Sequence, residues 1–218
     1  MGVFDIIGPV MIGPSSSHTA GAARIGRVAR GLLGEEIRAC EITLTGSFAA
    51  TASGHGTDRA IVAGILGMEI DDPDLRRSFA IAKERGLKYE FRTRQIQGAH
   101  PNTVIIEARG DTRNVNMRAS SIGGGSISVD ELDGLPVSFS GRAHTLIISH
   151  RDRPGVIAAV SGAIARVGIN IATMQVFRVK LAGDAIMAIE MDEYPDNAIV
   201  GIIEKLDGVE RVSLLKSI

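Results

Sequence analysis

From residue 145 to residue 215 the hydrophobic period alternates between two and about 3.6, and this alternation restricts the fold more than any other feature. Ile157, Val160, Ile164 and Val167 recur at helical spacing, as do Ile199, Ile202, Ile203 and Leu206, so each segment presents one apolar stripe. Strand-like runs flank and separate them at 145–149, 169–180, 184–192 and 209–215, with helices at 156–167 and 197–206. The order is βαββαβ, a ferredoxin-like split unit in which both stripes cover one face of a four-stranded sheet.

The residues before it have a different rhythm. A loop rich in Gly and Pro leads into a helix at 18–33, marked by Ile25, Val28, Ala29 and Leu32. Cys40, Ile42 and Leu44 alternate as a strand that ends at Gly46, and Ile61, Val62, Ile65 and Leu66 mark a second helix. Pro73 and Asp74 open a third helix at 75–85, stopped by Gly86. Strands follow at 87–94, 103–109, 113–120 and, after Gly123-Gly124-Gly125, at 126–132. Residues 133–142, with Gly134, Pro136 and Gly141, read as a linker. The expected class is α+β in two domains, 1–142 and 143–218, which suits 218 residues at about 150 per domain.

Charge and cysteine content exclude whole classes of function. There are 24 Lys and Arg against 25 Asp and Glu, a net charge of −1, so no broad basic face for nucleic acid or acidic lipid is expected. The single cysteine, Cys40, rules out an internal disulfide and an iron–sulfur cluster held wholly by this chain's thiolates. The apolar start, Met1 to Met11, lacks the basic region of an export signal, since the first positive side chain is Arg24. Charge, proline or Gly/Ser/Thr content interrupts every candidate membrane span of ~20 residues. A soluble, cytoplasmic protein is expected.

Chemistry concentrates in a few loops. Gly13-Pro14-Ser15-Ser16-Ser17-His18-Thr19-Ala20-Gly21 sets hydroxyls and an imidazole at a helix start, where unpaired N–H groups favour a carboxylate or phosphate. One serine acting as an N-cap beside solvated loop residues is the plainer alternative. Gly54-His55-Gly56-Thr57-Asp58 repeats the arrangement, with Thr57 or Asp58 as the alternative cap. His18, His55 and His100 match no metal-ligand spacing, and no metal site is expected here. His100-Pro101-Asn102-Thr103 and Ser120-Ser121-Ile122-Gly123-Gly124-Gly125-Ser126 could present polar donors, though turn chemistry explains both. Neither glycine-rich stretch fits a nucleotide motif, and the first lysine, Lys83, lies outside both loops, away from any Schiff-base role. In the C-terminal domain, Asp152-Arg153-Pro154-Gly155 and Gly168-Ile169-Asn170-Ile171 are tight turns or a ligand notch.

The run from Gly8 to Gly21, then Gly54 to Asp58, then His100 to Thr103, resembles the β chain of the iron–sulfur-dependent L-serine dehydratases in order and spacing. Residues from about Ala143 onward resemble an ACT domain, a small amino-acid-sensing module, through the two turns just quoted. Ala22 departs from the proline of single-chain relatives, and alanine continues a helix readily. The resemblance implies conversion of L-serine to pyruvate and ammonia with a 4Fe-4S cluster as Lewis acid. With one cysteine here, the cluster would sit on a separate α chain. It also implies His18 and His55 as proton-transfer groups, and Ser15, Ser16, Ser17, Thr19, Thr57, Asp58 and Asn102 as substrate contacts. Pro154, Gly155, Asn170 and Ile171 would hold a small amino-acid effector, and the ACT domain would pair with its own copy. A rival expectation is a serine-sensing module similar to the allosteric substrate-binding domain of some phosphoglycerate dehydrogenases; another is a scaffold that only assembles other subunits. Two histidines beside the serines favour catalysis, because a sensor needs no proton-transfer group.

Overall fold

The computed structural model describes residues 10–218, and contacts divide the chain into two units, Met1–Asp133 and Gly134–Ile218. Gly8, Pro9 and the apolar run before them lie outside the described residues. In the first unit a π-helical turn, Ser16–Gly21, runs into helix α1, Ala22–Leu33. Strand β1 (Ala39–Leu44), helices α2 (Gly46–Thr51) and α3 (Thr57–Ile65), a 3-10 turn (Pro73–Arg77) and helix α4 (Ser78–Glu84) follow. Strands β2 (Lys88–Thr93), β3 (Thr103–Arg109), β4 (Asn114–Gly123) and β5 (Ser126–Leu132) complete it.

The strands lie in the order β2-β1-β3-β4-β5, with β1 and β2 parallel and the other pairs antiparallel. Parallel neighbours need a crossover, and α2, α3 and α4 supply it. Ile42, Ile106 and Met117 stand side by side in register, as do Leu44, Val104 and Ala119, and all six are buried. Burying such rows at roughly 25 cal/mol per Å² is the main term holding the unit together. Ile25, Val28, Ala29, Leu32 and Leu33 turn the buried stripe of α1 inward, and α1 packs on α3, β3 and β4. At the crossing of α1 and α3 the backbones meet. A Cβ at Gly26 would fall 2.3 Å from the Ile61 carbonyl oxygen, and one at Gly64 would fall 1.9 Å from that of Ala23.

The second unit opens with β6 (Leu135–Phe139), then β7 (His144–Arg151), α5 (Val156–Arg166), β8 (Ile171–Arg178), β9 (Asp184–Met191), α6 (Ala198–Ile203) and β10 (Val209–Leu215). Its four-stranded antiparallel sheet has the order β10-β7-β9-β8, so the expected βαββαβ pattern is present. Leu146, Ile148, Met187 and Ile189 pack with Val156, Val160, Ile164, Ile199 and Ile203 in one core.

Five expectations need correction. α2 was not anticipated, because six residues are too few to display a period. The helix expected at 75–85 begins as a 3-10 turn, set by Pro73. The strand expected at 113–120 runs on to Gly123. The linker expected at 133–142 contains β6, which Pro136 and the flanking glycines disguised. The buried stripe of α5 is Val156, Val160, Ala163 and Ile164, whereas Ile157 and Val167 are each 46% exposed. Ile202 is likewise 45% exposed on α6. Among the described residues, no helix is long and apolar enough to cross a membrane.

Candidate active site

Three short segments of the first unit meet around one imidazole. The π-helical turn carries His18, and Ser15 caps the turn by accepting the His18 backbone N–H on its hydroxyl at 3.2 Å. Turns of this kind are rare and cluster at functional positions. The Ser15 Oγ also lies 3.4 Å from His18 Nδ1, while Ser47 Oγ lies 3.0 Å from Nε2. A neutral imidazole donates from one nitrogen and accepts at the other, so hydroxyls at both ends hold the ring in either tautomer.

Ser47 arrives there because Gly46 turns the chain sharply out of β1. Its φ is 53°, and a Cβ at this position would fall 2.6 Å from the Pro101 carbonyl oxygen, which leaves room for glycine alone. The loop after α2 brings in His55, whose ring lies edge-on to His18 with centroids 5.1 Å apart. Phe48 flanks His18 at 5.5 Å, also edge-on. The Thr19 hydroxyl donates to the His55 carbonyl at 3.5 Å, tying the two loops together. Burial first, and the proximity of His55 second, hold the His18 pKa below its ordinary value. The ring is therefore neutral near pH 7 and able to accept a proton.

Beside His55 a cleft of about 550 Å³ is lined by Thr19, Gly54, Gly56 and Arg59, with Ile12, Pro14 and Leu75 as an apolar part. Among the described residues of this unit, three buried polar atoms have no protein partner: Thr57 Oγ1, Asn102 Oδ1 and Ser121 Oγ. Such atoms cost roughly 1–3 kcal/mol each unless something pairs with them. Asn102 and Ser121 are neighbours, since the Ser121 N–H donates to the Asn102 carbonyl at 3.0 Å. Ser121 in turn abuts the π-helical turn, where a Cβ at Gly21 would fall 2.1 Å from its hydroxyl.

The structure thus brings together Ser15, His18, Thr19 and His55, with Ser16 and Ser17 half-buried in the same turn. The residue that sequence reasoning missed is Ser47; its signal was a Gly-Ser pair directly after a strand. Neither Thr57 nor Asp58 caps α3: the cap is Gly56, and Asp58 accepts from the backbone of Arg59. His100 serves the turn before β3, its Nδ1 accepting from the Asn102 N–H at 3.1 Å. The Gly123 to Gly125 loop is a hairpin connection in which Gly125 accepts from Arg24 at 2.7 Å. In the second unit, Asn170 and Ile171 line a groove along α5 with Ala158, Ser161 and Gly162, and the Asn170 amide donates to Asp192 at 2.6 Å. Pro154 and Gly155 are exposed at the start of α5, where Gly155 (φ 92°) is the cap, and do not line that groove.

Among the described residues no set of cluster ligands comes together. Cys40 is buried in β1 with its thiol pushed up to about 12 by burial, and no group of three His, Cys, Asp or Glu converges among the described residues. The donor set of this chain does not fit an iron–sulfur cluster.

Comparison with known proteins places this geometry in a family. The model of the serine dehydratase beta chain matches residues 2–85, and that of the ACT domain matches residues 144–208. A protein of Bacillus subtilis (strain 168) described as a probable L-serine dehydratase, beta chain, is 43% identical over 211 residues, covering 97% of this chain and 96% of its own. The L-serine dehydratase, beta chain, of Peptoniphilus asaccharolyticus is 37% identical over 215 residues, covering 98% and 96%. A D-3-phosphoglycerate dehydrogenase of Bacillus subtilis (strain 168) is 26% identical over 195 residues, which cover 89% of this chain but 37% of that protein. With near full-length identity of this order, and with the histidine-serine cluster in place, the chain belongs to the L-serine dehydratase β-chain family and carries an ACT domain.

Proposed function

We propose that this chain is the β subunit of a cytoplasmic L-serine dehydratase, a lyase that converts L-serine to pyruvate and ammonia together with an α subunit. The observation that carries the reading is His18, held at both ring nitrogens by Ser15 and Ser47 and set edge-on to His55. In the reaction the Cα proton leaves to a base and the β-hydroxyl departs as water, giving 2-aminoacrylate. Its imine tautomer then takes up water and releases ammonia and pyruvate. His18 and His55 are the groups of this chain suited to moving those protons. Ser15, Ser16, Ser17, Thr19, Thr57, Asp58 and Asn102 supply polar contacts to the substrate.

On this reading the 4Fe-4S cluster belongs to the α subunit, because this chain offers one thiol and that thiol is buried. Residues 1–142 form the catalytic and substrate-binding domain, and residues 143–218 form the regulatory ACT domain. The ACT domain binds a small amino acid through Pro154, Gly155, Asn170 and Ile171 and pairs with its own copy. The largely exposed edge strand β8 supports that pairing. Similarity to a phosphoglycerate dehydrogenase across both units favours a second reading, a sensing subunit without catalysis.

Anaerobic copurification with the α chain, followed by an iron count and a pyruvate assay, separates the two. A complex that contains iron and forms pyruvate from L-serine, with neither property in the isolated chain, is expected. Stoichiometric iron with visible charge-transfer absorption in the isolated chain, or a loaded complex that leaves L-serine intact, would overturn the proposal.

A further inference from the structure

One wall of the cleft beside His55 is basic, and the proton-transfer chemistry leaves it unused. Arg59, on the first turn of α3, is fixed from two sides. One guanidinium nitrogen donates to the Arg76 carbonyl at 2.8 Å, and Cζ lies 5.3 Å from the centre of the Phe79 ring. A guanidinium has five N–H donors, so this grip leaves most of them available while suppressing side-chain motion. No carboxylate pairs with Arg59 or with Arg76 among the described residues. Nearby arginines do have such partners: Arg77 pairs with Asp74 at 3.0 Å, and Arg27 pairs with Glu69. Arg59 and Arg76, both exposed to solvent, line the cleft with His55 and Thr19, while Ile12, Pro14 and Leu75 form its apolar part.

We propose that Arg59 binds the α-carboxylate of the amino-acid substrate in this cleft, with Arg76 as a second positive group on the same wall. The inference rests on the serine-dehydrating reading and names the anchor that fixes the substrate beside the His18 and His55 pair. A preformed planar fork suits a carboxylate, which accepts two parallel N–H bonds. Anchoring at that end leaves the Cα proton and the β-hydroxyl facing the rest of the site.

The test uses the assembled, cluster-loaded complex with Arg59→Gln and Arg59→Lys. The KM for L-serine should rise roughly 10- to 100-fold in Arg59→Gln, with kcat changed less than about threefold. Arg59→Lys keeps the charge and should raise KM less. Two competitive inhibitors locate the effect: 3-hydroxypropionate has the carboxylate without the amine, and ethanolamine has the amine without the carboxylate. The inhibition constant of the first should rise with KM in Arg59→Gln, and that of the second should stay where it was. An unchanged KM in Arg59→Gln overturns the inference, and so do equal losses for both inhibitors, which report general damage. Should Arg59→Gln fail to assemble, Arg59→Lys decides, because wild-type KM in that variant also refutes a bidentate anchor. A wild-type complex that makes no pyruvate refutes the proposed function as well, whereas an active wild type with an insensitive Arg59 refutes this inference alone.

Discussion

Replacing Gly64 by alanine tests how the two histidines are held at their spacing. The Cβ that alanine adds would lie 1.9 Å from the Ala23 carbonyl oxygen, 2.8 Å from the Arg27 nitrogen and 2.9 Å from the Ala23 carbonyl carbon. All three are backbone atoms, so no side chain can rotate away. Real Cβ atoms essentially never come closer than 3.0 Å to such a neighbour, and α1 and α3 would have to separate until that distance is reached. Both helices are buried along their contact, so separation opens their shared core. Overpacking of this kind costs about 1–3 kcal/mol or more, while alanine returns at most about 1 kcal/mol of helix propensity. The expected net loss is about 1–2 kcal/mol, a fall of roughly 3–10 °C in the melting of the first unit. The displacement also reaches the site, because α1 continues from the turn bearing His18 and α3 follows directly on the loop bearing His55. Thermal and urea unfolding monitored by circular dichroism measure the stability, and pyruvate formation by the assembled complex reads the site. A Gly64→Ala chain that melts at or above the wild-type temperature would refute backbone contact as the determinant of the helix spacing.

In the assembled enzyme, His18→Ala should lower kcat by ~10²-fold or more, while Ser15→Ala should mainly raise KM and weaken the cap by about 1 kcal/mol; full turnover in His18→Ala with intact iron content removes His18 from the chemistry. Because burial and His55 depress the His18 pKa, its imidazole NMR titration should have a midpoint below 6.5, and His55→Gln should move it upward. The unfolded chain then binds the proton more readily, so the stability due to a neutral His18 is present above pH 6.5 and is lost as pH falls through the folded midpoint. A midpoint at or above 6.5 contradicts this. Cys40, buried with its thiol raised to about 12, should react with an aromatic disulfide reagent only on unfolding, and rapid stoichiometric labelling of the native chain would show otherwise.

Long periodic segments are legible in the sequence, and so are the loops that meet around His18. Most of the helix expected at 18–33, which begins as the π-helical turn Ser16–Gly21 and is α-helical over Ala22–Leu33, and the whole βαββαβ order follow from apolar spacing, which sequence displays directly. Short elements were not legible. Six residues of α2 cannot complete two helical turns, yet α2 carries Ser47 to the ring of His18. On α5 the expected stripe holds at Val160 and Ile164 and fails at Ile157 and Val167; Val156 and Ile157 are equally apolar, and only the helix start fixed by Gly155 decides which faces the core. Within the site, His18 and His55 were singled out from their neighbours in sequence. Their 5.1 Å separation was not, since it depends on two glycines meeting where α1 crosses α3.

The crossover between the parallel strands β1 and β2 also orders events in time. Strands β3, β4 and β5 are successive hairpin neighbours and need only short loops to close. β2 pairs with β1 only after residues 45–87 have looped over, a closure of far greater sequence separation. Ser47 and His55 lie inside that loop, and His18 lies before β1. Pulse-labelling hydrogen exchange during refolding should therefore protect the amides of β3 to β5 before those of α3, and earlier protection of α3 would contradict this order. A refolding chain would acquire its meander first and the His18–His55 pairing last, so partly folded molecules would be structured without their histidine cluster.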